Sequence, residues 1–135
     1  MHPSLADTIR AANAAILAAG DLDAIGEFFA TDHVAHLTDR DLTGGPPSVR
    51  RYVEMIRRSF PDLEVEVDIL LEGEDRVAWQ RTVRATHRED FMGFPATGRR
   101  IGWRDMATSR IRDGLIAEEW VISDLAERLL LARKR

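Results

Sequence analysis

The side chains best placed to move a proton lie at the end of the last predicted strand, residues 115–124. Residues two apart in a strand point to the same face, so Trp120, Ile122 and Asp124 share one side of a sheet. That row is apolar until its last member, a carboxylate. In an apolar pocket Asp124 would act as a general base and remove a proton alpha to a carbonyl group. The alternative is a cap of the helix predicted after it.

Two histidines and an ion pair are further candidates for chemistry. His36 and His87 could polarise a carbonyl group or bind an enolate oxygen, or they could be histidines satisfied within the core or at a strand end. Arg110 and Glu118 point to the same side as Asp124. Arg110 could keep Asp124 ionised or hold an anionic substrate group, or it could form only a salt bridge with Glu118 at the rim.

Other kinds of site are disfavoured by the residues available. The chain has no cysteine, which excludes disulfides, thiol nucleophiles and thiolate metal sites. Its four histidines lack the close spacing of a ligand cluster, so we predict no metal site, and we expect His2 and His33 at the surface. There is no Gly-x-Ser-x-Gly turn and no glycine-rich nucleotide motif. We therefore predict no cofactor.

Length and composition predict one globular domain, residues 1–135. The chain has 135 residues, of which 44% are hydrophobic, and its charged residues of both signs are mixed. A net charge of -4 argues against nucleic acid as a partner. No apolar run approaches the ~18 residues of a membrane span, and no signal pattern begins the chain. We therefore expect a cytoplasmic protein that does not bind membranes.

The first third of the chain has helical periodicity. Leu5, Ile9, Ala12 and Ile16 form one apolar stripe, and Gly20 ends it. Further helices are predicted over 22–29, capped by Asp21, and from Pro46 to Phe60 before Pro61.

After Pro61 the period changes to two. Strands are predicted over 63–69, 76–87, 99–111 and 115–124, followed by a short helix over 125–131. Helices followed by a run of antiparallel strands indicate an α+β domain, in which the helices cover one face of a curved sheet.

The last hairpin decides which side chains meet. Arg112-Asp113-Gly114 fits a three-residue loop, which would place Ile111 opposite Leu115. Seven side chains would then share the pocket face: Met106, Thr108, Arg110, Glu118, Trp120, Ile122 and Asp124. Four apolar side chains would lie on the outer face and support a homodimer or higher homo-oligomer: Trp103, Ala107, Ile111 and Val121.

Aromatic residues elsewhere could line a cavity for a flat hydrophobic ligand. Tyr52 lies on the third predicted helix, and Phe91, Met92 and Phe94 lie in the loop 88–98. They would serve equally well as core or dimer-contact residues. Trp79, Trp103 and Trp120 would be core residues by default, although the hairpin register places Trp103 on the outer face and Trp120 on the pocket face.

Several segments together resemble the SnoaL-like polyketide cyclase family of the NTF2-like superfamily. The similar segments, in the family's order, are Gly20–Ile25, Asp32–His36, Ser59–Leu63, Thr86–Arg88, Phe91–Arg100 and Arg110–Trp120 followed by Asp124. The resemblance implies an NTF2-like cone, with N-terminal helices packed on a curved, mostly antiparallel sheet.

The resemblance also implies roles for single residues. Asp124 falls on the position of the family's general acid/base, and His36 and His87 match histidines that commonly face the pocket. Arg110 stands where some cyclases have a histidine on the third strand. Leu37 departs from the acidic residue that often follows the first histidine, and Glu89-Asp90 replace a Gly-Glu pair.

The function implied is a cofactor-free intramolecular aldol condensation of a hydrophobic polyketide-type carbonyl compound, with Asp124 transferring the proton. The same fold also carries isomerases, hydratases, epoxide hydrolases, hydroxylase components and binding modules without catalysis. Each of these is an alternative that the sequence leaves open.

Overall fold

Helices flank one side of the molecule. The computed structural model describes residues 4–133. Helix α1 is Leu5–Ala12 and continues as a π-helical segment, Asn13–Ala18. A 3₁₀ turn, Leu22–Ala24, leads into the short α2, Ile25–Phe28. Helix α3 is Pro46–Ser59, and α4 is Leu125–Arg133. No helix in this part of the chain is long and apolar enough to cross a membrane.

Six strands form one mixed sheet. They are β1 Phe29–His36, β2 Asp41–Leu42, β3 Glu64–Glu72, β4 Arg76–Thr86, β5 Arg100–Arg112 and β6 Leu115–Ser123. The order across the sheet is β2-β1-β6-β5-β4-β3. Only the β1–β6 pair is parallel among these neighbours; the other pairs are antiparallel. The predicted α+β architecture, with helices packed on a curved and mostly antiparallel sheet, is confirmed.

Local sequence accounts for where the first and third helices begin. Ser4 and Asp7 form a reciprocal capping box at the start of α1. Helix α3 begins after Gly45, whose φ is 69° and where a Cβ atom would collide with the carbonyl oxygen of Thr31 in β1. Glycine therefore lets α3 start directly against β1.

The first two strands were not predicted from the sequence. The helix expected over 22–29 contains only a 3₁₀ turn and α2, and β1 begins at Phe29. The pairing of β1 with β6 is irregular between Phe29 and Val34. An irregular strand lacks a clean period of two, which explains why β1 is hard to find by pattern.

The predicted register of the last hairpin is wrong. Arg112 pairs with Leu115, so the loop has two residues, Asp113 and Gly114, with φ values of 54° and 77°. Positive φ at both positions is typical of a type I′ turn. The register then shifts between Arg110 and Ile111, which leaves Ala117 as an extra residue on β6.

Because of that bulge, the side chains that were predicted to share one face do share it, but that face is turned away from the helices. Arg110 lies opposite Glu118, Thr108 opposite Trp120, and Met106 opposite Ile122, so these residues do share one face. That face is the outer one: Met106 is 45% exposed and Ile122 is 62% exposed. The four residues predicted to be outside lie on the inner side of the sheet: Trp103, Ala107 and Ile111 are buried in the core, and Val121 is partly buried in the cavity wall.

Candidate functional site

A cavity of ≈ 350 Å³ lies between the inner face of the sheet and the helices. Its walls are largely apolar side chains from α1, the π-helical segment, α3 and strands β4 to β6, and they include Ile16, Val53 and Val83. Its mouth is marked by lining residues that are exposed to solvent: Thr38, Asp39, Arg40, Met92 and Ala126. A cavity of this size suits a small ring-containing ligand.

A histidine–glutamate pair lies inside the cavity. Nε2 of His33, on β1, lies 3.0 Å from Oε1 of Glu119 on the neighbouring β6. Ser109 Oγ donates a hydrogen bond of 2.7 Å to the other oxygen of Glu119, and Trp79 Nε1 donates to Ser109 Oγ at 2.9 Å. The His33 side chain is 2% exposed and that of Glu119 is 12% exposed. The carboxylate is therefore fixed in orientation by direct partners on two strands, β1 and β5, and Ser109 is fixed in turn by Trp79 on β4.

An arginine–aspartate pair also lines the cavity. Nε and Nη2 of Arg81 both lie 2.8 Å from Oδ2 of Asp105. Arg81 Nη1 donates at 2.9 Å to Asn13, whose own amide donates to the carbonyl oxygen of Ile9. Asn13 opens the π-helical segment, and such segments often occur at functional sites.

Tyr52 on α3 lines the same cavity. Burial raises the pKa of its hydroxyl, and the negative charge of Asp105 raises it further. Tyr52 therefore keeps its proton at neutral pH and can donate a hydrogen bond.

Asp124 does not line the cavity, so its predicted location in an apolar pocket is wrong. Its Oδ1 accepts a hydrogen bond of 2.8 Å from the backbone N–H of Arg104, and its Oδ2 lies 3.3 Å from Nε of Arg128. Its backbone carbonyl accepts from the N–H of Arg128, so the residue stands at the start of α4. The carboxylate connects the end of β6 to β5 and α4.

His36 lies on the outer face of the sheet, not in the cavity. Its Nε2 lies 2.7 Å from Glu118 and its Nδ1 lies 2.9 Å from Asp41. Hydrogen bonds to Glu118 first and then to Asp41 raise the pKa of His36, and the bond from His36 is the main cause that lowers the pKa of Glu118. The imidazole stacks on Trp120 with ring centroids 5.4 Å apart.

Arg110 also lies on the outer face. Its Nη2 is 3.4 Å from Glu118, so the predicted pair exists as a salt bridge outside the pocket. Arg76 covers the Trp120 ring at 5.1 Å. Six predicted catalytic or substrate-binding residues therefore lie on the outer face, away from the cavity: Met106, Thr108, Arg110, Glu118, Trp120 and Ile122.

His87 is buried but does not line the cavity. Its ring stacks on Phe60 with centroids 5.3 Å apart, and Nδ1 accepts from the backbone N–H of Thr97 at 3.3 Å. Nε2 is buried without a partner among the described residues. Burial is the main cause that lowers the pKa of His87, which favours the neutral ring.

Four of the predicted lining residues do face the cavity: Tyr52, Phe91, Met92 and Phe94. Sequence reasoning missed the polar residues that form the two side-chain pairs in the cavity: His33, Arg81, Asp105 and Glu119. His33 was expected at the surface but is buried, and His2 lies outside the described residues. Asp105 could have been found from the alternation of β5, because it lies between the buried Trp103 and Ala107 at a spacing of two residues. Within residues 4–133, no group of three or more His, Asp or Glu side chains could hold a metal ion.

Comparisons with known proteins agree with this architecture. The family model for SnoaL-like polyketide cyclases matches residues 7–130. IdmH, a proposed polyketide cyclase from Streptomyces antibioticus, is 33% identical, with 96% of this chain and 98% of that chain covered and a TM-score of 0.77. AclR, a proposed hydroxylase from Streptomyces galilaeus, is 32% identical over 98% of this chain and 99% of that chain, with a TM-score of 0.76.

A more distant structure shows the same fold. A proposed SnoaL-like polyketide cyclase from Jannaschia is 21% identical over 90% of this chain and 86% of that chain, with a TM-score of 0.79. No curated protein sequence matches the chain significantly. The family model covers nearly the whole chain, and the chain therefore belongs to the SnoaL-like polyketide cyclase family.

Proposed function

We propose that this protein closes a ring by intramolecular aldol condensation of a hydrophobic polyketide-type carbonyl compound, without a cofactor. The observation that carries the proposal is the His33–Glu119 pair, held at 3.0 Å inside a largely apolar cavity. Aldol chemistry needs one group that removes a proton from carbon and later returns it to oxygen. A buried imidazole beside a fixed carboxylate can do both.

The proposed reaction begins with the two ring nitrogens of His33 in different roles. Nε2 donates its hydrogen to Glu119, so Nδ1 is the nitrogen that accepts a proton from the substrate. The C–H bond alpha to a carbonyl breaks, its proton passes to Nδ1, and Glu119 stabilises the imidazolium. The enolate carbon then forms a C–C bond with the second carbonyl carbon, and the imidazolium returns its proton to the new alkoxide. Loss of water from this aldol, as the new hydroxyl group and the remaining alpha proton, completes the condensation.

The cavity contributes by holding the reacting carbons together. Ring closure within one bound molecule gains from proximity, since translational and rotational freedom is lost at binding and not at the transition state. Apolar walls also reduce screening, which strengthens the attraction between imidazolium and carboxylate. Ser109 and Trp79 support this arrangement because they keep Glu119 from rotating away from His33.

The sequence suggested proton transfer by Asp124, whereas we assign proton transfer to His33 and Glu119. Asp124 is engaged by Arg104 and Arg128 and is not among the residues that line the cavity. A base must come within hydrogen-bond reach of the proton it removes. His33 and Glu119 satisfy this geometric condition for a ligand bound in the cavity.

The test is the exchange of alpha protons for deuterium in aryl ketones with a second carbonyl five atoms away, together with ring closure of the same compounds. Glu119→Gln should lower both rates by about 10²-fold or more. Glu118→Gln removes the same charge from the next residue on the outer face and serves as the matched control. Rates unchanged in Glu119→Gln, or equally reduced in Glu118→Gln, would overturn the proposal.

A hydroxylase is the second candidate, because AclR matches this chain almost as closely as IdmH does. The two functions differ in the oxidant they require. Ring closure by aldol chemistry needs no oxygen, whereas hydroxylation by dioxygen consumes it. Product formation that stops under argon would favour the hydroxylase, and formation that continues would favour the cyclase.

A further inference from the structure

The cavity has two polar ends separated by an apolar middle. Glu119 lies opposite Ser109 of β5, whereas Asp105 lies four residues further along the same strand. At about 3.3 Å per residue the two positions are roughly 13 Å apart. The row between them consists of Trp79, Ala107 and Val121, which pair across β4, β5 and β6. One small functional group cannot reach both ends at once.

The end that contains Asp105 is built as a fixed polar site. Arg81 is held by Asp105 at 2.8 Å and by Asn13 at 2.9 Å, and its guanidinium lies over the Trp79 ring at 5.2 Å. The Asp105 side chain is 7% exposed. A carboxylate has about four acceptor positions, and the Arg81 contacts occupy only those at Oδ2, so Asp105 can accept another hydrogen bond.

A donor faces this acceptor across the cavity. Tyr52 lines the cavity from α3 and Asp105 lines it from β5; burial raises the pKa of the Tyr52 hydroxyl, and the Asp105 charge raises it further. A ligand hydroxyl between them can donate to Asp105 and accept from Tyr52. A ligand carboxylate can accept from Tyr52, but Asp105 would repel it, and the charges of Arg40 and Asp39 at the mouth oppose each other.

We propose that Arg81, Asp105 and Tyr52 form a second subsite, which binds a hydroxyl group on an aromatic ring of the substrate. The subsite rests on the proposed function in one respect: the hydroxyl lies at the end of the substrate remote from the carbon that His33 deprotonates. The substrate class is then a flat, largely apolar ring system with a phenolic hydroxyl at one end and the reacting carbonyl chain at the other. The distance between the two polar ends of the cavity determines the length of the substrate that fits.

The test measures binding and not turnover, so its outcome is independent of the proposed reaction. The probes are 2-naphthol, 2-naphthoate and naphthalene, titrated into the full chain by isothermal calorimetry. Native protein should bind 2-naphthol about tenfold more tightly than naphthalene, and 2-naphthoate no better than naphthalene. Tyr52→Phe should remove most of the preference for 2-naphthol without changing the affinity for naphthalene.

Two further variants locate the hydroxyl. Asp105→Asn removes the charge and should restore binding of 2-naphthoate, with folding verified by circular dichroism. Glu119→Gln lies at the other end of the cavity and should leave the ratio of the 2-naphthol and naphthalene affinities within about twofold of native, whatever its effect on the affinities themselves. Equal affinity for 2-naphthol and naphthalene would overturn the subsite. A preference lost in Glu119→Gln but kept in Tyr52→Phe would also overturn it, because the hydroxyl would then bind at His33–Glu119.

Discussion

The two faces of the β1–β6 strand pair carry the same combination of side chains in different surroundings. On the inner face, His33 and Glu119 are joined at 3.0 Å under a cover of helices. On the outer face, His36 and Glu118 are joined at 2.7 Å, with side chains 33% and 28% exposed. Glu118 and Glu119 are neighbours on β6, so the same short segment builds both pairs.

The difference lies in what each pair can do for the protein. An exposed ion pair is screened by water and contributes little to stability. A buried pair has been taken out of water, and that desolvation is not fully offset by its attraction. A titratable pair that is kept in an apolar cavity in spite of this cost is a candidate for chemistry. The inner and outer pairs therefore serve as matched controls for each other.

The largest expected contrast is in activity. His33→Asn should lower kcat for ring closure by about 10²- to 10⁴-fold, because the amide cannot accept a proton from carbon. His36→Asn should leave kcat within about twofold of native, since its ring is on the opposite side of the sheet. Steady-state kinetics on the two-carbonyl ketones measures both variants. Equal losses would mean that the inner and outer pairs do not differ in function.

A second contrast is expected in stability. Glu119→Ala leaves Ser109 and His33 without their acceptor in the interior, and should lower the free energy of unfolding by about 2–4 kcal/mol. Glu118→Ala removes a carboxylate that water can replace, and should leave the free energy of unfolding close to native. Urea unfolding followed by tryptophan fluorescence gives both values. A larger loss in Glu118→Ala would reverse the assignment of the inner face.

The sequence predicts the elements of this fold better than it predicts which side of the sheet is inside. Alternation at period two groups Arg110 with Glu118 and Met106 with Ile122, but both faces of β5 and β6 contain apolar residues. Trp103, Ala107 and Val121 are as apolar as Met106, Trp120 and Ile122, the residues that the sequence predicts to face the pocket. Which face is buried depends on contacts with helices that are far away in the sequence, and the periodicity of a strand carries no information about those contacts.

The inner site was missed for a related reason. His33 escapes prediction as a strand residue because β1 is irregular, and Glu119 escapes it because the predicted register puts its neighbour Glu118 on the pocket face. The Ala117 bulge keeps Glu118 and Arg110 on one face in spite of a shorter turn. Asp105 and Arg81 could have been found as polar residues in otherwise apolar inner rows.

The outer face predicts a third contrast, in assembly. It presents Leu71 at 71% and Ile122 at 62% exposure, so we propose that the homodimer expected from the sequence uses this face. Ile122→Glu should convert a native dimer to a monomer in sedimentation velocity. Leu130→Glu places the same charge on exposed α4 and should leave the dimer intact. A native monomer at every concentration, or equal dissociation in both variants, would contradict this use of the face.

The smallest effects are expected in the titration of two histidines in unlike surroundings. The pKa of His36 is raised above its ordinary 6.5, chiefly by Glu118, whereas that of His87 is lowered, chiefly by burial. The contribution of His36 to stability is therefore complete below pH 6.5 and is lost as the pH rises through its folded pKa. That of His87 is complete above pH 6.5 and is lost as the pH falls towards its folded pKa.

Proton NMR of the imidazole Cε1–H signals measures both histidines in one sample. Glu118→Gln should move the midpoint of His36 down towards 6.5 and leave that of His87 unchanged, because only His36 contacts this carboxylate. A His36 midpoint that does not move in this variant would show that Asp41 alone holds the proton. The outer pair would then be a contact without electrostatic coupling, and the likeness of the two faces would be limited to their geometry.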